Sequence, residues 1–484
     1  MEPMESEDRL YRLNSVAHVA GYLDEEPAKV ISGVRRQQNM PLHDRIIPYL
    51  ETVGLYHLAR LNSQWFWVDE PLLSAFIERW RPETHTFHMP FGECSITLQD
   101  VAYQLGLPID GEPVSGCLTE FENLMEHGRP AWVWFRELFG ELPPQSKVKQ
   151  MTVCYTWFHE RFWVLPADAS DETVRLFADK NANRVHLCWL PYLASLDDLG
   201  RYSWGSAVLA WLYRCLCRGT NRNVVNLAGP LQLLQSWIFW RFPTLRPSGF
   251  DRIGFPLASR WATFMPRNDG GAQRLASARL SLDRLRVHDF VWEPYSSVEV
   301  TAVIHPEILV EEHRRLWTAI TSLIYFAAIE WHQVDGVLPQ FSGVQHLPQP
   351  ALNIDWLHAK DGRGGDRWFP TYYREWHQFW ENRLQSVIWV DRVLDPGPSS
   401  EYLDWWCRVA HRFLSPDVAF QDPRPQMPDD AAQFADQQPR IDEPSAPAAD
   451  QRPRRVRRPP LCGTGGHLLG QFDDDDSDTI EDSD

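Results

Sequence analysis

Twenty-three tryptophans lie between Trp65 and Trp406, and none lies outside that stretch. Each indole brings a large apolar area to bury and one N–H that needs an acceptor. A chain that spreads so many of them over more than 300 residues is committed to a thick core along that whole length. A Trp-rich core is the simpler reading than an aromatic cage around a ligand. With 484 residues the chain has room for two to three domains, and its apolar fraction of 44% is ordinary for a globular protein.

The patterning falls into three parts. Residues 1–40 are mixed and polar and read as a flexible N-terminal arm. From Pro41 to about Phe420 the pattern is dense and continuous. After that, "QDPRPQMPDDAAQFADQQPRIDEPSAPAADQRPRRVRRPP" is rich in Pro, Ala, Gln and Asp. Such a stretch cannot bury enough surface to offset its chain entropy, so 421–484 is expected to be a disordered tail. No short-period internal repeat is found, which disfavours a solenoid.

Within 41–420 most segments read as helices. "LHDRIIPYLETVG" ends at Gly54, with Pro48 expected to break or kink it. In "VDEPLLSAFIERW" Asp69 is placed to cap and Pro71 to fill the first turn. "ETHTFHMPFGECSITL" has strand-forming residues around Pro90 and Gly92 and reads as a β-hairpin. "TLQDVAYQLG" follows with capping-box spacing between Thr97 and Asp100 and a stop at Gly106. "PAWVWFRELFG", "KVKQMTVCYTWFHERFW", "DETVRLFADKNANRVHLCWLPYLASLDDLG", "GPLQLLQSWIFWRF", "RLASARLSLDRLRVHDFVWEPY", "PTYYREWHQFWENRLQSVIWVDRVL" and "SSEYLDWWCRVAHRFL" are expected to be helical. So is "EEHRRLWTAITSLIYFAAIEWHQVDGVL", as one long apolar helix. "GRYSWGSAVLAWLYRCLCR" reads as a central core helix with Ser203 before it and Gly219 after it. Its apolar stripe is Trp204, Val208, Trp211, Leu212 and Cys215. The class is therefore mainly α, a single large helical domain with one or two small β-hairpins.

The charge is acidic, −18, and the cations are almost all arginine; lysine occurs only at Lys29, Lys147, Lys149, Lys180 and Lys360. An acidic field disfavours non-specific grip on a phosphate backbone but leaves room for a local basic groove. The eight cysteines show neither a disulfide framework nor a CxxC pair. "MEPMESEDRLYRL" lacks the apolar core of a signal peptide, and no run is long enough to span a membrane. A reducing, intracellular setting without membrane contact is the expectation.

Few constellations suggest chemistry. No HExxH, GxSxG, GxxxxGK[ST] or strand-borne GxGxxG occurs, so no cofactor is expected. His85 and His88 fall on opposite faces of a strand-like stretch. Cys215 and Cys217 point apart on a helix, and buried core thiols are the simpler reading. Asp355 and His358 read as a surface ion pair or cap. "DGRGGDRW" (361–368) reads as a mobile loop. The richest titratable group is Glu330, His332 and Asp335, placed near the end of the expected long helix. It is a candidate general base or metal ligand, or else a polar buttress. Asp197 and Asp198 are acidic but adjacent, so they do not converge on a metal.

The strings "LHDRIIPYLETVGLYHLARL", "ERWRPETHTFHMPFGECSITLQDVAYQLGLPIDGEPVSG", "NRVHLCWLPYLASLDDLGRYSWGSAVLAWLYRCLCR", "GPLQLLQSWIFWRFP" and "VWEPY…IEWHQVDGVLPQF" occur in this order. Together, over roughly 41–400, they closely resemble the plant mobile domain family, the maintenance-of-meristems-like or "aminotransferase-like, plant mobile domain" proteins. The resemblance implies a helical domain shared between plant genes and transposable elements. It also implies nuclear members linked to meristem maintenance, genome integrity and transposon silencing, with no accepted catalytic residues. Gly336 departs from the family's WHQVDRV, which carries Arg there. An aminotransferase would need a pyridoxal phosphate lysine, and none of the five lysines has that context. A metallophosphatase would need GDxHG and GNHE-type motifs, which are absent.

The tail adds "RPRRVRRPP", in which Arg452, Arg454, Arg455, Arg457 and Arg458 form a basic patch suited to nuclear import or nucleic-acid contact. The expectation is a non-enzymatic nuclear protein. Its partners would be nuclear proteins, family homologues among them, or nucleic acid. The alternative is a transposition-associated protein encoded by or domesticated from a mobile element, with a phosphatase- or aminotransferase-like enzyme third.

Overall fold

The structure, a computed structural model, describes residues 44–63, 66–115, 131–149, 196–267, 270–359 and 373–415, with shorter pieces at 12–33 and within 152–192. The expected loop at 361–368 and the tail with its basic patch lie outside the described residues.

The class is mainly α with small sheets, as the patterning predicts. The helices are α1 (Ile47–Thr52), α2 (Tyr56–Asn62), α3 (Glu70–Ile77), α4 (Leu98–Leu105), α5 (Ala131–Phe139), α6 (Trp204–Gly219) and α7 (Leu231–Arg241). They continue as α8 (Gly271–Asp283), α9 (Val298–Thr301), α10 (Glu311–Leu316), α11 (Asp355–Ala359), α12 (Arg374–Glu381) and α13 (Ser400–Val409). Local punctuation works as expected in several of them. Pro48 sits in the first turn of α1, so the helix begins there instead of running through it. The Asp69 carboxylate accepts from Leu72 N–H at the start of α3. Thr97 and Asp100 form the capping box of α4, and Gly106 ends that helix at φ +66.

Strands β1 (Trp80–Arg81), β2 (Thr86–Met89) and β3 (Gly92–Cys94) form an antiparallel sheet, with Phe87 opposite both Trp80 and Cys94. The expected hairpin is thus present and gains a third strand. Strands β4 (Val148–Lys149), β5 (Thr152–Cys154) and β6 (Arg184–His186) form a second antiparallel sheet. This corrects the helical reading at Val148–Lys149, Thr152–Cys154 and Arg184–His186; Thr152 and Val153 are β-branched and pair more readily than they coil.

The largest correction concerns the expected long helix. Only α10 is helical; strands β7 (Thr321–Tyr325) and β8 (Ala328–His332) then form a tight hairpin, followed by a 3₁₀ stretch from Asp335 to Phe341. Nearly every residue of both strands is buried, so apolar residues fall on both faces and the period-two signal disappears. The turn at Phe326–Ala327 contains no Gly, Asn or Pro; Phe326 itself takes φ +52.

Helix α6 lies at the centre, against α4, β1 and the β7–β8 hairpin, while α8 packs along α3. It is buried almost all round, not along one stripe: Leu209, Tyr213, Leu216 and Cys217 are enclosed, whereas Val208 and Trp211 are only half-buried. Ser203 precedes the helix, but its hydroxyl donates to Ile109 C=O at 2.7 Å; Gly219 is the last helical residue and Thr220 the cap. One hydrophobic cluster extends from Ile31 to Trp380.

In the N-terminal arm, His18, Ala20 and Ile31 are buried. His18 is buried, its Nε2–H donating to Trp80 C=O at 2.8 Å and its Nδ1 accepting from Ala20 N–H at 3.0 Å. Ser32–Gly33 pairs in parallel with Asn226–Leu227.

Candidate functional site

At α6, three elements bring titratable side chains to one carboxylate carried by a fourth. Glu330 lies mid-strand in β8, opposite Leu323, and the pleat directs it against the C-terminal half of α6. Its Oε2 accepts from His85 Nε2 at 2.8 Å and from His358 Nε2 at 2.9 Å. Its Oε1 takes the Nε–H of Arg214, whose Nη2 also donates to Ile329 C=O at 3.0 Å.

His85 sits in the β1–β2 turn at φ +54, a left-handed conformation that lifts its ring out of the strand pleat. The ring stacks on Tyr213 at 5.1 Å and 8°. Tyr213 is held in turn by Ile96 C=O at 2.6 Å, and the Ser95 hydroxyl donates to His85 C=O at 2.6 Å. Cys217, one helical turn beyond Tyr213, receives the Trp80 Nε1–H on its Sγ at 3.3 Å. One donor atom from each of His85, Cys217, Glu330 and His358 lies within 4.8 Å of the other three.

The electrostatics follow from enclosure. Burial alone would push the Glu330 carboxyl up; the Arg214 guanidinium and the two imidazoles outweigh that and hold it well below the usual carboxylate range. Burial lowers His358, with Glu330 opposing. Burial, reinforced by the Glu330 charge, pushes the Cys217 thiol well up. His358 Nδ1 is buried and has no hydrogen-bond partner among the described residues.

The group Glu330, His332 and Asp335 does not act as one cluster. His332 is buried, but its Nδ1 bonds Ala319 C=O at 2.8 Å and its Nε2 accepts from Leu98 N–H at 3.4 Å, near the start of α4. Burial lowers it to about 4. Asp335 begins the 3₁₀ stretch and accepts from Gln349 N–H at 2.7 Å; burial raises its carboxyl. Only Glu330 belongs to the site. His358 is a correction, for it turns inward to Glu330 and not outward as a surface partner of Asp355. His88 faces Glu93 and Trp406, so it shares nothing with His85. Asp198 lies at the surface beside Arg201, 3.6 Å away.

His85, Arg214 and Cys217 were not legible as partners of Glu330. They lie 245, 116 and 113 residues from it in sequence, and no spacing rule spans such gaps. The nearest local signal was the β-branched and aromatic content of 321–331, which would have placed Glu330 on a buried strand.

The plant mobile domain family model matches residues 54–407, which contain every residue of this site. The serine/threonine-protein phosphatase 7 long form homolog of Arabidopsis thaliana is 33% identical over 408 residues, covering 78% of this chain and 29% of that protein. Protein MAIN-LIKE 1 of the same plant is 32% identical over 391 residues, covering 76% of this chain and 71% of the relative. Protein MAINTENANCE OF MERISTEMS, also from Arabidopsis thaliana, is 28% identical over 372 residues, covering 73% of this chain and 72% of the relative. The chain therefore spans less than a third of the first relative's length and most of the other two. No solved structure matches the chain. With the family model matched over most of its length, the chain belongs to the plant mobile domain family.

Proposed function

We propose that this chain is a nuclear, non-enzymatic recognition module that serves meristem maintenance, genome integrity or transposon silencing through contacts with nuclear proteins, family homologues among them, or with nucleic acid. The observation that carries the reading is co-extension. The similarity to Protein MAINTENANCE OF MERISTEMS takes in 73% of this chain and 72% of that relative, so the shared domain is the greater part of both. The phosphatase in the first relative's name is not carried over, because this chain spans only 29% of that protein. The enclosed Glu330 cluster suits a scaffold: its charges are matched inside the core.

The test is to express the tagged full chain in Arabidopsis thaliana lacking Protein MAINTENANCE OF MERISTEMS. Nuclear accumulation and restored meristem growth are expected. Replacing Arg452, Arg454, Arg455, Arg457 and Arg458 by Gln should abolish both. A chain that stays in the cytoplasm, or enters nuclei and rescues nothing, overturns the reading.

A further inference from the structure

We propose that His85, Cys217, Glu330 and His358 are the four ligands of a structural zinc-class divalent cation that ties the β1–β2 turn, α6, β8 and α11 together. Each residue comes from a different part of the chain, and their donor atoms all lie within 4.8 Å of one another. A tetrahedral shell with ligand bonds of about 2.0–2.3 Å separates its donors by about 3.3–3.8 Å. The present spread therefore closes on an ion by small side-chain movements. The 2.8 and 2.9 Å contacts from Glu330 to the two histidines would widen, and the longest separation would shorten. Two imidazoles, one thiol and one carboxylate form a borderline-soft donor set that suits zinc and not magnesium or calcium. All four side chains are enclosed, which is the character of a closed structural site.

Two of the four ligands, Glu330 and Cys217, have the kind of partner that metal ligands usually have behind them. Arg214 holds Glu330 by Oε1, leaving Oε2 for the ion. Trp80 Nε1–H points at the Cys217 sulfur at 3.3 Å, where it would support a thiolate. His358 Nδ1 has no partner among the described residues, so its proton can sit there while Nε2 offers its lone pair. His85 would likewise move its proton to Nδ1. Binding of a hydrated ion then breaks its metal–water bonds and the two Glu330–histidine hydrogen bonds, releases the ion's waters and one proton, from the Cys217 thiol, to solvent, and forms one metal–sulfur and one metal–oxygen bond together with two metal–nitrogen bonds.

The full chain, purified and dialysed against metal-free buffer, is titrated with Co²⁺ and separately with Zn²⁺. The expected result is saturation at about one ion per chain, with a thiolate-to-cobalt charge-transfer band and tetrahedral d–d bands, and displacement of Co²⁺ by Zn²⁺. Cys217→Ser should remove the charge-transfer band and weaken binding roughly 100-fold or more, since even outer-shell changes cost about 10–100-fold. Cys215→Ser, two residues along the same helix, should bind like the parent. If Cys217→Ser does not fold, the spectrum of the parent chain decides alone. A parent that takes up no cobalt, or gives only octahedral oxygen-ligand bands, overturns the proposal. So does a Cys217→Ser protein that binds as the parent does.

Discussion

Asp100 and Arg241 face each other at 2.8 Å with neither side chain exposed to solvent. The same carboxylate closes the capping box of α4 through its other oxygen and accepts from the Tyr295 hydroxyl at 2.6 Å. One side chain thus starts a helix and neutralises a charge 141 residues away. Removing it strands a buried guanidinium, so Asp100→Ala should destabilise the domain by about 3–5 kcal/mol in urea unfolding. Arg241→Met, which removes the other charge, should restore part of that loss in the double variant; strictly additive losses would show the pair to be uncoupled.

Trp237 is fully enclosed among Phe76, Phe87 and Phe242, with ring centroids at 6.3, 5.4 and 5.7 Å. Trp237→Ala should cost about 3–5 kcal/mol. Trp389 is 86% exposed, and Trp389→Ala should stay within about 0.5 kcal/mol of the parent. Thermal denaturation of the two variants separates the core tryptophans from the surface ones. Trp211, half-buried against Tyr325 at 5.3 Å, belongs between them and not with the core as its sequence stripe implies.

Gly205 lies in the first turn of α6, where intrinsic propensity favours alanine by about 1 kcal/mol. A Cβ there would come within 2.7 Å of Ile109 Cγ2 and 3.0 Å of Pro108 C=O. The backbone oxygen cannot swing aside. Gly205→Ala should therefore destabilise the protein despite its better helix propensity, and a higher melting temperature would show that this contact yields.

His18 accepts from Ala20 N–H through Nδ1 and so must be neutral in the fold. Burial, with Arg81 beside it, holds it well below the usual histidine range. Burial brings His332 and His377 to about 4. In the unfolded chain each takes up a proton near pH 6.5, while in the folded form His332 and His377 take it up only near 4 and His18 only well below its ordinary range. Stability is therefore fully present above pH 6.5 and is lost as pH falls from 6.5 towards 4. Glu78 and Asp335, raised by burial, oppose this at the acid end. Urea midpoints should fall across that window, and His18→Gln should make the decline shallower by up to about 1.4 kcal/mol per pH unit. An unchanged slope would show that His18 is protonated in the native state.

Much of the local structure was legible because its causes are local. Asp69, the Thr97–Asp100 pair and Gly106 act on groups three or four residues away, so their spacing alone places the ends of α3 and α4. The β7–β8 hairpin was not legible, because burial on both faces gives an apolar run that a helix would show equally well. The extent of α12 was overread for a related reason. The apolar spacing of its segment continues to Val387, but the helix stops at Glu381 and the strand-like stretch beyond it bonds Ile320 N–H through Ser386 C=O.

What the sequence determined by itself is the scale and class of the molecule. Tryptophans from Trp65 to Trp406 demand one thick core, helical periodicity supplies most of its walls, and the ordered family strings mark the plant mobile domain. What only the tertiary structure decided is which polar groups that core encloses together. Glu330 looks the same in sequence beside His332 and Asp335 as it would alone. Its true partners are Arg214, His85 and His358, brought to it by α6, the β1–β2 turn and α11. A buried carboxylate must be matched wherever the chain can supply a donor, and chain packing, not sequence distance, sets which donors can reach it.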